Sequence, residues 1–269
     1  MTSRKRPTIA DIRANKGKYQ YTMMRVENWE ELAAAEAAGI DMVSVPPPML
    51  ADKNFREVAP TLFAVPGLAL WDNPGTTDDF LRWGYEMMRH GADAVYCAAS
   101  LGTIRRMADE KIPVIGHVGL IPHFCTWTGG FKAVGKTAES AWEIYERCRA
   151  YEEAGAFGVE IEVVPPEVTE EISKHTSLFL VSMGGGAGGD CQYLFACDVL
   201  GTNRGHMPRH SKKYVDLAKE FDRIQELRIK AFKSFVKDVQ KGAYPSAPYL
   251  VSAPKNEMAE FQKKMRASK

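Results

Sequence analysis

Two glutamates, Glu160 and Glu162, interrupt the apolar stretch Gly158-Val159-Glu160-Ile161-Glu162-Val163-Val164. In an extended strand the side chains alternate faces, so both carboxylates point one way and Val159, Ile161 and Val163 the other. Carboxylates on a buried face are costly unless paired, and two close together share protons rather than both ionising. Such a pair can serve as general acid and base; the other reading is a salt bridge inside the fold. His117 ends a second apolar stretch, Ile112-Pro113-Val114-Ile115-Gly116. It is either a hydrogen-bonded rim residue or a ring N–H donor to a substrate carboxylate or carbonyl. Asp72, beside Asn73-Pro74-Gly75, reads equally as turn chemistry or as a functional group, either a hard oxygen ligand for Mg²⁺ or a partner that binds a polar group of the substrate.

Two glycine-rich stretches carry weaker signals. Residues 184–189 could let backbone N–H groups approach an anion, yet they lack the lysine of a phosphate loop. A bland flexible loop fits them as well. Gly129-Gly130-Phe131-Lys132 either covers a site or simply turns.

The elements that must position these groups alternate between strand and helix. Extended or apolar stretches are expected at 19–25, 42–45, 68–71, 94–97, 113–117, 158–163 and 178–183. Helical stretches fall at 28–38, 77–90, 103–110, 138–153 and 166–175, most of them stopped by a glycine. At this spacing the strands form a parallel sheet with right-handed crossovers, and the length favours an α/β fold of the (β/α)8 TIM-barrel type. A single barrel domain over 1–269 is expected, with extra C-terminal helices over about 211–269. In such barrels the chemistry sits at the carboxyl ends of the strands, which places Asp72, Tyr96, His117 and Glu162 near one rim.

Composition excludes several classes of function. The 269 residues carry 35 Lys+Arg against 34 Asp+Glu, without the positive excess of a nucleic-acid binder. Apolar runs fall short of the ~20 residues that span a bilayer, and the N-terminus lacks a secretory pattern. Five cysteines without paired spacing fit a reducing cytoplasm. The expected partner is therefore a small-molecule substrate, with no nucleic acid and no membrane.

The ordered motifs resemble the ketopantoate hydroxymethyltransferase (3-methyl-2-oxobutanoate hydroxymethyltransferase) family, within the phosphoenolpyruvate mutase/isocitrate lyase superfamily. The stretches that carry the resemblance are Pro113–Pro122, Gly129–Lys136, Glu162-Val163-Val164-Pro165, the turn after Met183, Gln192–Gly201 and Gly242-Ala243-Tyr244-Pro245, over about residues 8–246. The resemblance implies a cytoplasmic, homo-oligomeric barrel. Its activity would be to deprotonate an α-keto acid next to the carbonyl and add a one-carbon unit from methylenetetrahydrofolate, releasing tetrahydrofolate, with Mg²⁺ stabilising the enolate. It places the catalytic general acid/base on Glu162, a substrate-binding histidine on His117, and a Mg²⁺-binding aspartate on Asp72.

The chain departs from the family pattern at its metal motifs. The family's Val-Gly-Asp-Ser falls on Val45-Pro46-Pro47-Pro48, so Pro47 stands for a metal-binding aspartate and Pro48 for a substrate-contacting serine. Its Lys-Ile-Glu-Gly falls on Tyr96-Cys97-Ala98-Ala99, so Tyr96 replaces a substrate-binding lysine and Ala98 an acidic residue of the metal shell. Three functions are compatible with these residues. The first is the family's hydroxymethyl transfer. The second is a diverged carbon–carbon lyase or transferase on another, aromatic substrate, with weak or no Mg²⁺ dependence, given Trp71, Tyr96 and Trp127. The third is a non-catalytic barrel.

Overall fold

The computed structural model describes residues 4–68 and 74–268. In chain order the elements are α1 (Ile9–Ala14), β1 (Tyr21–Arg25), α2 (Trp29–Ala38), β2 (Met42–Val45), α3 (Pro47–Ala51), α4 (Phe55–Val58), β3 (Phe63–Pro66) and α5 (Thr77–Arg89). There follow β4 (Val95–Tyr96), α6 (Leu101–Asp109), β5 (Val114–Gly119), α7 (Cys125–Thr128), α8 (Ala138–Glu153), β6 (Gly158–Glu162) and α9 (Pro166–Lys174). The first unit closes with β7 (Phe179–Met183), β8 (Cys191–Phe195) and α10 (Ala196–Val199).

The eight strands make one parallel sheet in the order β3-β2-β1-β8-β7-β6-β5-β4. Its two ends meet where the Asp93 N–H donates to the Ala64 carbonyl at 2.9 Å. Asp93 Oδ2 accepts in return from the Ala64 N–H and from Arg56 Nη2, both at 2.8 Å. The sheet is thus a nearly closed (β/α)8 barrel.

Strand alternation sorts the apolar residues into two layers. Val43, Ala64, Val114, Val159, Ile161 and Leu180 face outward and pack with helix residues such as Leu32, Ile104 and Ile144. Met42, Phe63, Ile115, Phe179 and Tyr193 face inward. At the amino ends of the strands, Phe157 stacks on Phe179 with ring centres 5.5 Å apart, and Tyr21 meets Phe179 edge-on at 5.6 Å. Ile12 of α1 joins this inner cluster. The aromatic plug leaves the carboxyl ends as the place for polar groups.

The helices read as their sequences suggest. Asn28 caps α2 by accepting from the Glu31 N–H at 2.9 Å, and Gly39 ends it at φ 80°. In α8 the buried residues Ile144, Cys148 and Tyr151 recur at helical spacing on one face. Tyr151 packs where Gly116 of β5 has no side chain; a Cβ there would lie 2.4 Å from its ring. Gly116→Ala is expected to cost about 1–3 kcal/mol by overpacking, seen as a lowered melting midpoint; an unchanged midpoint would show that the ring can move aside.

Two strands were not among those expected. The third strand is Phe63–Pro66; Leu68 lies past its end, and the rest of the stretch expected at 68–71, with Asp72, falls outside the described residues. Phe63 and Val65 of this strand help fill the barrel interior. The eighth strand, Cys191–Phe195, lay outside the expected strands and is paired with both β7 and β1.

The chain divides into two compact units, Met1–Asp216 and Leu217–Lys269. The second contains α11 (Leu217–Gln240) and α12 (Lys255–Ala267). No helix among the described residues is long and apolar enough to cross a membrane.

Candidate active site

Strand register brings the polar groups together. His117 of β5 pairs with Glu160 of β6, and Gly119 pairs with Glu162. All three titratable side chains point inward, with His117 2% and both glutamates 8% exposed. They line a cavity of about 350 Å³ in the first unit, together with Arg25, Tyr96 and Tyr193.

The Tyr96 hydroxyl lies 2.6 Å from His117 Nδ1. On the other side of the ring, Nε2 lies 3.1 Å from Glu162 Oε2. That approach is off the line an N–H would need, so Nε2 is buried beside a carboxylate yet lacks an aligned acceptor. A proton on Nε2 is the arrangement that turns this 3.1 Å approach into attraction; the tautomer is assigned from these contacts.

Electrostatics explain how protons distribute in the cluster. Burial raises Glu160 to about 7, with Glu162 adding to the rise and His117 opposing it. Burial pulls His117 down, but Glu160 and Glu162 outweigh it and the net shift is upward. Burial, then Glu160 and Glu162, push Tyr96 well above the usual phenol range, so it stays a neutral O–H. Glu160 therefore gains and loses its proton near neutral pH, beside a histidine that holds its own more tightly than usual.

Ligand atoms of His117, Glu160 and Glu162 lie within 4.8 Å of one another, a spacing within reach of a cation. One imidazole nitrogen with two carboxylates is, however, a softer set than the oxygen surroundings Mg²⁺ prefers. At the positions expected to hold Mg²⁺, Pro47 opens α3 and Ala98 follows β4, and neither side chain offers an oxygen. The residues present there do not fit the family's Mg²⁺ site, and Asp72 falls outside the described residues.

Other candidates do not join the cavity. Residues 184–189 are absent from its lining; Gly188 instead lets the chain pass α9, where a Cβ would meet the Glu170 backbone at 2.6 Å. Trp127 and Phe131 are exposed and also lie off the lining. The structure adds Arg25, Ser44 and Tyr193, which the sequence reading passed over. Arg25 ends β1, and Ser44 shares the inward face of β2 with Met42, so strand-end position and alternation were signals for both. Tyr193 sits on the unrecognised β8.

A parallel barrel with buried acid/base groups at the carboxyl ends of its strands defines a (β/α)8-barrel enzyme. The sequence profile described as "Ketopantoate hydroxymethyltransferase" matches residues 59–247. The 3-methyl-2-oxobutanoate hydroxymethyltransferase 1 of Methylibium petroleiphilum is 30% identical, over 96% of this chain and 93% of its own length. The 3-methyl-2-oxobutanoate hydroxymethyltransferase of Halalkalibacterium halodurans is 32% identical, over 78% of this chain and 74% of its own. Among solved structures, 2,3-dimethylmalate lyase, a PEP mutase/isocitrate lyase superfamily member, shares the fold with a TM-score of 0.52 at 12% identity, over 98% of this chain and 100% of that one. The chain belongs to the ketopantoate hydroxymethyltransferase family, transferases that make or break a carbon–carbon bond next to an α-keto acid carbonyl.

Proposed function

We propose that the cavity enolises a branched α-keto acid of the 3-methyl-2-oxobutanoate type, with Glu162 as the group that removes and returns the proton on the carbon next to the carbonyl. The observation that carries this reading is the buried His117 Nε2, beside Glu162 and without an aligned acceptor. An N–H there can donate to the substrate's carbonyl oxygen and more strongly to the enolate oxygen, which is what lowers the barrier. Tyr96 fixes the ring from its other nitrogen. Glu160, raised to about 7, limits the negative charge that would oppose an anion in the cavity.

A one-carbon unit at the formaldehyde level is the electrophile, supplied by methylenetetrahydrofolate when bound. No step is assigned to Mg²⁺, because Pro47 and Ala98 offer no donor. The same reading takes the protein as cytoplasmic, consistent with five free thiols. It also takes it as a homo-oligomer that buries Phe221, Phe232 and Phe235, exposed on α11.

The test isolates the first chemical step. Incubated with 3-methyl-2-oxobutanoate in D₂O, the enzyme is expected to wash deuterium into C3 far faster than buffer, followed by proton NMR. Absence of exchange, with or without Mg²⁺ and with or without tetrahydrofolate, would refute Glu162-driven enolisation of this substrate.

A further inference from the structure

Among the described residues lining the cavity, the charged groups are Glu27, Glu160, Glu162, His117 and Arg25, and Arg25 is the sole Lys or Arg. An α-keto acid brings a carboxylate into a mostly apolar lining that already holds Glu27, Glu160 and Glu162, so a cation is needed to receive it. Arg25 has the geometry. It ends β1 at the carboxyl rim, and its side chain is 14% exposed. Nε donates to Glu27 Oε1 at 2.6 Å, while Nη1 donates to Ser44 Oγ at 3.2 Å and to the Gly67 carbonyl at 3.4 Å. Nη2 has no hydrogen-bond acceptor among the described residues. The planar guanidinium is therefore fixed on two of its nitrogens and open on the third.

Glu27 does not cancel this charge. Its side chain is 55% exposed, so water screens it, whereas the guanidinium is mostly withdrawn from solvent. Ser44 lines the same cavity as Tyr193 and the two glutamates, which ties Arg25 to the wall they share.

We propose that Arg25 anchors the substrate carboxylate through Nη2, so that the keto acid is bound by a pre-positioned guanidinium without a metal ion. The inference rests on the keto-acid reading above and names what holds its acid group. Because the carboxylate and carbonyl carbons of a 2-oxo acid are bonded to each other, fixing the first restricts where the carbonyl can lie relative to His117. The anchor also makes the site selective for the acid over its uncharged analogues.

The experiment is a calorimetric titration in EDTA, using 3-methyl-2-oxobutanoate and the carboxylate-free ketone 3-methyl-2-butanone. The wild type is expected to bind the acid in EDTA. Arg25→Gln is expected to weaken acid binding by about 10- to 100-fold, the range for one lost charge-assisted hydrogen bond, and to leave ketone binding unchanged. Arg25→Lys should recover part of the loss, since a point charge replaces the fork. Melting midpoints establish that the variants are folded. Should Arg25→Gln not fold, Arg25→Lys carries the test through a several-fold loss for the acid alone.

Unchanged acid affinity in the folded variant would overturn the anchor, as would wild-type binding that appears only after Mg²⁺ is added. If the wild type still exchanges the C3 proton in either case, enolisation by Glu162 stands and Arg25 alone is refuted. A wild type that neither exchanges nor binds removes both.

Discussion

Glu162→Gln is expected to lower deuterium exchange at C3 and overall turnover by about 10²- to 10⁴-fold, the usual contribution of a positioned general acid/base. That corresponds to roughly 3–5 kcal/mol of barrier. The amide keeps the shape of the carboxylate but cannot take up the substrate proton. Folding should be little affected, because the Glu162–His117 approach at 3.1 Å is not an aligned hydrogen bond, and β6 is held by its backbone pairing and by the core packing of Val159 and Ile161, which the change leaves in place. The expected pattern is therefore a large loss in kcat with a nearly unchanged melting midpoint. Exchange surviving within tenfold of wild type would move the acid/base role away from Glu162, with Glu160 the next carboxylate in the same cavity.

The second large effect is on stability, and it follows from Glu160. Its carboxyl is raised from 4.5 to about 7 in the folded protein, mainly by burial. Below about 4.5 the group is protonated in both folded and unfolded chains and has no effect. As pH rises toward 7 the unfolded chain ionises readily and the folded one does not, so stability falls, reaching a loss of about 3 kcal/mol above the folded value. His117 acts in the same direction. Its pKa is raised on folding, so its contribution is present below its unfolded value and is lost as pH rises through the folded one.

The groups facing Glu160 are His117, Glu162, Tyr96 and Tyr193, and burial pushes both tyrosines up, so they stay neutral throughout this range. The melting midpoint of the wild type is expected to drop between pH 5 and pH 8. Glu160→Gln should flatten that slope and raise the midpoint at pH 8 by about 5–10 °C, less whatever His117 loses with its anionic neighbour. A variant as pH-sensitive as the wild type would mean that Glu160 is already ionised in the native cavity.

These two glutamates also show what can be read locally. Alternation along Gly158–Glu162 is a property of one strand, so the inward face of Glu160 and Glu162, and the outward face of Val159 and Ile161, were legible before any partner strand was known. The strand–helix alternation and its spacing likewise determined the barrel, since parallel strands with short crossovers close in few ways. The departures at Pro47 and Ala98 were visible residue by residue as well.

Tertiary structure decided the rest. That Phe63–Pro66 forms β3 depends on Phe63 filling the barrel interior beside Met42 and Phe157, not on local hydrophobicity. Arg25 and Ser44 look like ordinary polar residues at the ends of short strands; β8 pairing with β1 sets Arg25 beside Phe195, and β2 brings up Ser44. The sequence by itself determined the facing of the carboxylates, the barrel and the lack of side-chain oxygens at Pro47 and Ala98, because each depends on a local pattern of side chains. Closure of the sheet decided that a cation from β1 shares a cavity with acids from β6. That depends on strand order around a ring, which is a long-range property of the folded chain.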